Sequence, residues 1–144
     1  MRLETPRSTL NFQLCAAGRL AIAVLKTILC VSDQEVALRV RKLLLEHEGY
    51  RVLTASGEAA AQELLRTEQV DLGLLDYSAT EAQRVITAIK KVKPGLRLVL
   101  ISFSPNFPEN LTGLVDGWVS KTRSPDVLLR KIEQLVGRKH RENS

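Results

Sequence analysis

Short runs of consecutive apolar residues alternate along this chain with longer segments in which apolar residues recur every three or four positions. A short apolar run is typical of a strand buried on both faces, and the wider spacing is typical of an amphipathic helix. The runs predict five strands, at residues 27–31, 50–55, 70–76, 96–101 and 117–120. The intervening segments predict helices at residues 34–48, 58–67 and 81–92, and a last helix between Ser124 and Gly137.

Residues 103–116 fit this alternation least well. Pro105 and Pro108 would break any helix that contained them, so at most a short helix fits near residues 109–115. The last helix has a stronger start signal, because Ser124 is a capping residue and Pro125 suits the first helical position.

Strands that alternate with helices predict a parallel sheet with right-handed crossovers and helices on both faces. The predicted fold class is therefore α/β: a doubly wound, five-stranded parallel sheet of the flavodoxin-like order 2-1-3-4-5, with a shortened fourth helix. In the first helix the spacing gives one apolar face, made of Val36, Val40, Leu43 and Leu44. The residues predicted to point away from it are Arg39, Arg41, Lys42 and Glu46.

The composition favours a globular domain and excludes several classes of function. Hydrophobic residues make up 44% and charged residues 26%, whereas the 4% of aromatic residues argues against a stacking platform for single-stranded nucleic acid. Much of the net charge of +5 lies at the two ends without a recognition motif, so no nucleic-acid partner is expected. Cys15 and Cys30 have no metal or redox spacing, and Cys30 is interpreted as a small core residue. We therefore expect a cytoplasmic protein.

Residues 1–25 are the hardest part to interpret. A basic start followed by an apolar stretch is similar to a signal peptide, but Arg19 interrupts the stretch, which is too short and too charged to span a membrane. We favour a loose or partly helical, dispensable extension, and translation that begins near Val24 is an alternative. The predicted division is a flexible N-terminal extension at 1–25, a folded domain at 26–138 and a basic tail at 139–144.

Polar side chains are predicted at the carboxyl ends of four strands: Asp33, Asp76, Ser102 and Lys121. These ends meet at one edge of a parallel sheet, and Asp33 and Asp76 would face each other at the switch point of the fold. Two close carboxylates repel each other unless a cation lies between them, and Mg²⁺ with oxygen ligands is the simplest solution. Lys121 and Ser102 could hold the oxygens of a phosphoryl group on Asp76. Singly, each residue also fits a structural role as a helix cap, a strand-end hydroxyl or a surface lysine.

At these positions the chain resembles the receiver domain of bacterial two-component response regulators. The resemblance covers about residues 26–138. It is carried by ILCVSD (28–33), LLLEHEGYRVLTASGEAA (43–60), DLGLLD (71–76), LVLIS (98–102) and WVSKTRSPDVLLRKI (118–132).

The resemblance implies a role for each candidate residue. Asp76 would be the phosphoacceptor, and Asp33, Asp76 and the backbone carbonyl of Ser78 would bind Mg²⁺. Ser102 takes the position of the switch hydroxyl and Lys121 that of the lysine. Trp118 takes the position of the switch aromatic residue, whose ring moves when the hydroxyl contacts phosphate; ordinary packing at the sheet edge is the alternative.

The chain also departs from the family pattern. Ser32 replaces the first of two acids, which should weaken Mg²⁺ binding. The loop at 77–80 lacks the usual Met-Pro and looks shortened, and Phe103 is bulky where a small residue is usual. Thr122 follows Lys121 in place of proline, so the cis peptide bond of the family is not expected.

Two functions are compatible with these features. The first is a stand-alone receiver, phosphorylated on Asp76 by a histidine kinase or phosphotransfer protein, that signals by contact with a downstream protein, without enzymatic activity or membrane attachment. The second is a degenerate receiver that serves as a phosphorylation-independent binding module. We favour the first. A nucleotide-binding enzyme of similar architecture is disfavoured, because the chain has neither G-x-G-x-x-G nor G-x-x-x-x-G-K-[ST].

Overall fold

The computed structural model describes residues 10–14, 20–103, 106–121, 123–137 and 140–143. The strands are β1 (Leu10–Leu14), β2 (Leu20–Leu25), β3 (Thr27–Ser32), β4 (Arg51–Ala55), β5 (Leu72–Asp76), β6 (Leu98–Ser102), β7 (Gly117–Ser120) and β8 (His140–Asn143). The helices are α1 (Glu35–His47), α2 (Glu58–Thr67), α3 (Ala79–Val92) and α4 (Pro125–Val136), with a 3₁₀ turn at Glu109–Leu111.

The central sheet has the strand order β4-β3-β5-β6-β7, and neighbouring strands in it are parallel. Counted within this sheet the order is 2-1-3-4-5, which confirms the predicted fold class. Every residue of β3, β5 and β6 is buried, as the apolar runs without alternation predict. The carboxyl ends of these three strands therefore lie side by side, beneath the loops that follow them.

Each face of the sheet has its own hydrophobic core, because successive side chains of a strand point to opposite faces. Leu29 and Val31 pack with residues of α2 and α3, whereas Ile28 and Cys30 pack with residues of α1 and α4. Cys30 is a buried free thiol, as expected of a small core residue.

The orientation of α1 differs from the prediction. Val36, Val40 and Leu43 are 72%, 61% and 70% exposed, whereas the buried residues of the helix are Leu38 and Leu45. The helix therefore has two apolar stripes, and the one that contains Leu38 and Leu45 packs on the sheet. Arg41 lies three residues after Leu38 and four residues before Leu45, so it falls on the same buried stripe. Its side chain is also turned inward.

The connection between β6 and β7 is short and irregular. The predicted fourth helix is reduced to the 3₁₀ turn, in agreement with the two prolines that precede it. Helix α4 begins at Pro125, but the hydroxyl of Ser124 makes no capping hydrogen bond, contrary to the sequence expectation.

A second sheet contains β1, β2 and β8 in antiparallel order. These strands lie within the segments that we expected to be a loose or partly helical extension and a basic tail. The division of the chain at residues 25 and 138 stays a prediction. Among the described residues, no helix combines the length and apolar character that a membrane span requires.

Candidate functional site

Asp76 is the last residue of β5, and its side chain is only 5% exposed. The strand register places it beside Ser32 on one side and Ile101 on the other. Ser32 is fully buried, and its hydroxyl accepts a hydrogen bond of 3.0 Å from the backbone N–H of Gln34. Burial of a carboxylate is unfavourable unless positively charged or hydrogen-bonding groups lie beside it.

Two cationic side chains supply that charge. Lys121 Nζ forms an ion pair with Asp76 Oδ1, so the structure places the predicted lysine against the predicted phosphoacceptor. Arg41 Nη1 contacts Asp76 Oδ2 at 2.9 Å. The sequence interpretation missed Arg41, although its position between Leu38 and Leu45 on one helical stripe is a signal that could have indicated it.

Asp33 lies directly after β3 and is exposed. It lines a cavity of about 320 Å³ together with Asp76, Ser78, Ser102 and Lys121. The side chains predicted from four strand ends are thus brought together around one cavity. Glu81 and Phe103 complete part of its wall.

Ser102, the last residue of β6, is buried and has an aromatic partner. Trp118 Nε1 donates a hydrogen bond of 3.1 Å to Ser102 Oγ. The indole ring also makes an edge-to-face contact with Phe107, with the centroids 6.3 Å apart and the planes at 72°. The predicted switch pair is therefore in direct contact.

Phe103 forms part of the cavity wall and is largely exposed to solvent. Lys121 Nζ lies 4.7 Å from the centroid of its ring. Phe103 also lines a second groove of about 400 Å³ between α1 and α4, which reaches Asp76 from the side of Arg41. The ring and Asp76 therefore share the lysine side chain as a neighbour.

No protein-family model matches the chain. Among curated proteins, it is 28% identical to the transcriptional regulatory protein GlrR of Escherichia coli K12 over 114 residues, which is 76% of this chain and 26% of GlrR. The chain thus spans about a quarter of the length of that relative.

Solved structures show the same similarity over more than nine tenths of the matched chains. A CheY-like response regulator receiver domain from Methanospirillum hungatei is 27% identical, with a TM-score of 0.66 and coverage of 76% of this chain and 92% of that one. The response regulator TrrA of Thermotoga maritima, solved with Mg²⁺ and BeF, is 26% identical, with a TM-score of 0.68 and coverage of 77% and 99%. This chain contains a response regulator receiver domain. A receiver domain is a signalling module of two-component systems.

The receiver differs from the expectation in the loop after the central strand. Helix α3 begins at Ala79, two residues earlier than predicted, and Ser78 is its N-cap. The Ser78 hydroxyl accepts a bond of 3.4 Å from the Glu81 N–H, and its carbonyl accepts one of 2.8 Å from the Ala82 N–H. The carbonyl predicted to bind Mg²⁺ is therefore already the first acceptor of a helix, although a carbonyl oxygen has a second lone pair.

The donors of this site suit Mg²⁺ in kind, because they are carboxylate and carbonyl oxygens. Asp33, Asp76 and the carbonyl of Ser78 are the residues that would hold the ion. The described residues include no cluster of three or more His, Cys, Asp or Glu side chains suited to a metal ion. Both oxygens of Asp76 also contact cationic side chains of the receiver itself.

Two neighbouring acidic groups stay protonated at neutral pH. Burial raises the pKa of the Cys30 thiol to about 12; Arg41 lowers this pKa and Asp76 raises it. Burial likewise raises the pKa of Tyr77 to about 12, and the negative charge of Asp33 adds to that effect. Neither side chain contributes charge to the site.

Proposed function

We propose that this receiver accepts a phosphoryl group on Asp76 from a histidine kinase or a phosphotransfer protein and signals by contact with a downstream protein. The observation that carries the proposal is the arrangement of Asp76 at the end of β5. Its buried carboxylate contacts Lys121 and lines one cavity with Asp33 and Ser102. A nucleophilic carboxylate, a fixed cation and a hydroxyl are what phosphoryl transfer requires of a protein.

In the proposed step a carboxylate oxygen of Asp76 attacks the phosphorus of the donor phosphohistidine. The new O–P bond forms as the N–P bond breaks, and the departing imidazole takes up a proton from solvent. Lys121 neutralises charge on the transferred oxygens, and the hydroxyl of Ser102 donates a hydrogen bond to one of them. Mg²⁺ bound by Asp33, Asp76 and the Ser78 carbonyl would neutralise further charge on the phosphoryl group.

The domain then acts as a phosphoryl carrier and contact surface rather than as an enzyme. The buried free thiol of Cys30 suits a reducing compartment, and we place the protein in the cytoplasm. That the receiver works without an attached output domain stays a prediction.

The test is intact-mass measurement after incubation with acetyl phosphate and Mg²⁺. We expect a phosphoryl adduct on the unmodified protein and none on Asp76→Asn. The matched control is Asp126→Asn, which makes the same change at an exposed aspartate of α4 and should leave the adduct in place. Undiminished labelling of Asp76→Asn would refute the assignment of the phosphoacceptor.

The second candidate is a degenerate receiver that binds a partner without phosphorylation. The observation that favours it is that both oxygens of the Asp76 carboxylate are already paired, Oδ2 with Arg41 and Oδ1 with Lys121. The exposed apolar row of Val36, Val40 and Leu43 on α1 offers such a partner a surface. Failure of both acetyl phosphate and kinase extracts to label the folded protein would favour this candidate over the first.

A further inference from the structure

The Asp76 carboxylate is held by two cations that come from different parts of the chain. Lys121 follows β7 and contacts Oδ1, whereas Arg41 comes from the middle of α1 and contacts Oδ2 at 2.9 Å. The side chains of Arg41 and Asp76 are only 17% and 5% exposed, so solvent screens their attraction weakly. This contact is more than a surface ion pair.

Arg41 is held inward by this attraction rather than by a full set of hydrogen bonds. Its Nε is buried and has no hydrogen-bond partner among the described residues. An unsatisfied buried donor is unfavourable, and an arginine elsewhere on a helix surface avoids it by extending into solvent. Arg39, two residues away, does extend, with a side chain 74% exposed.

A divalent ion that enters this site meets an Asp76 carboxylate whose two oxygens are already paired with cationic side chains. Mg²⁺ binds through oxygen ligands that carry negative charge, and Asp33 and Asp76 are the carboxylates at the strand ends. Arg41 and Lys121 match those two charges, and the guanidinium also repels an incoming cation across a short, poorly screened distance.

We propose that Arg41 is an internal counter-ion that competes with Mg²⁺ for Asp76 and keeps the affinity of the site for divalent ions low. This inference rests on the proposed function, since it takes Asp33 and Asp76 as the ligands of the ion. It adds a cause that is separate from the missing acid at position 32. Ser32 removes an attractive charge, whereas Arg41 adds a repulsive one and occupies a ligand oxygen.

The experiment is titration of the metal-free protein with Mg²⁺, followed by calorimetry and by the fluorescence of Trp118. Arg41→Met keeps the length of the aliphatic stem and removes the charge, and we expect it to bind Mg²⁺ about tenfold more tightly than the unmodified protein. Arg41→Lys keeps the charge and should stay near the unmodified affinity. Arg39→Met removes an equal charge from the exposed side of the same helix and should also change little.

A damaged fold would not increase the affinity for Mg²⁺. Tighter binding by Arg41→Met would therefore show that Arg41 acts as a counter-ion and not only as a structural residue. If Arg41→Met does not fold, Arg41→Gln is titrated in its place. The inference is overturned if the neutral variant binds Mg²⁺ no more tightly than Arg39→Met, or if Arg41→Lys binds as tightly as Arg41→Met. Labelling of Asp76 by acetyl phosphate is measured on the same samples, so that loss of the inference alone is distinguishable from loss of the proposed function.

Discussion

The Ser102 hydroxyl has the indole N–H of Trp118 as a hydrogen-bond partner. Because Trp118 donates to Ser102 Oγ at 3.1 Å, the hydroxyl acts as an acceptor and retains its own proton for donation. The hydroxyl could therefore donate a hydrogen bond to a phosphoryl oxygen on Asp76 and still accept the bond from the indole. A tryptophan at position 118 therefore differs from a phenylalanine, which has no N–H group to donate a hydrogen bond to Ser102.

Cys30 gives a prediction about alkaline stability. Burial raises the pKa of its thiol from 9.0 to about 12, so above pH 9 the unfolded chain loses a proton that the folded chain retains. The free energy of unfolding then falls as pH rises, by at most about 1.4 kcal/mol per pH unit for this group. We expect Cys30→Ala to show a shallower fall.

Burial also raises the pKa of Tyr50 and Tyr77 from 10.0 to about 12, so both tyrosines add to the fall between pH 9 and pH 10. They do so equally in the two proteins, and the difference between the slopes therefore reports the thiol. Urea unfolding in steps across this interval provides the measurement. Equal slopes for the two proteins would show that the folded thiol ionises as readily as the unfolded one.

At the scale of elements, the sequence predicted the central sheet and its helices almost completely. The reason is that β3, β5 and β6 are buried on both faces and read as uninterrupted apolar runs. Helix α1 shows where such patterns fail. Val36, Val40 and Leu43 form a stripe as regular as Leu38 and Leu45, and spacing alone cannot say which stripe meets the sheet.

The same ambiguity hid Arg41 from the sequence interpretation. An arginine is normally assigned to solvent, and its partner Asp76 is 35 positions further along the chain. The residues at strand ends were easier to predict, because parallel topology brings them to one edge whatever their spacing in sequence. The helix starts at Ala79 rather than at residue 81 because Ser78 is its N-cap, and Ala79 and Thr80 form the first turn of the helix.

Gly73 in β5 gives a prediction about the packing of the sheet. A Cβ at this position would lie 2.8 Å from Leu98 Cδ2, and Leu98 is fully buried, with little space to move away. We expect Gly73→Ala to lower the free energy of unfolding by about 1–3 kcal/mol.

Gly95 is the matched control, since a Cβ there would have no heavy atom within 4 Å. Gly95→Ala should be neutral or stabilise the fold by up to about 1 kcal/mol, because alanine restricts the unfolded chain. Urea unfolding of both variants measures the difference, and equal stabilities would contradict the close contact at Gly73.

In the molecule as a whole, the two edges of the sheet differ in what their carboxylates do. At the amino edge, aspartate side chains accept hydrogen bonds from the backbone at the starts of strands. Asp71 Oδ2 accepts one of 2.7 Å from the Thr27 N–H, and Asp116 Oδ2 accepts one of 2.9 Å from the Leu98 N–H. These carboxylates satisfy backbone groups that would otherwise be buried without partners. At the carboxyl edge, Asp33 and Asp76 surround a cavity.

This division predicts that stability and metal binding can be separated by two similar substitutions. Asp71→Ala leaves the buried N–H of Thr27 without its acceptor and should lower the free energy of unfolding by about 1–3 kcal/mol, with Mg²⁺ affinity retained. Asp33→Ala removes an exposed carboxylate and should change stability by less than about 0.5 kcal/mol while Mg²⁺ binding is lost. Urea unfolding and calorimetric titration of both variants check the prediction; a single variant that lost both properties would contradict it.

The contact between Arg41 and Asp76 also has an evolutionary consequence. Ser32 is the register partner of Asp76, so an acid at position 32 would arise beside a carboxylate that already has a guanidinium against it. A lineage that acquired Ser32→Asp while it kept Arg41 would regain the attractive charge but keep the repulsive one, and would recover only part of the affinity for Mg²⁺. We therefore expect the route from this receiver to one that binds Mg²⁺ tightly to need two substitutions, one at Ser32 and one at Arg41.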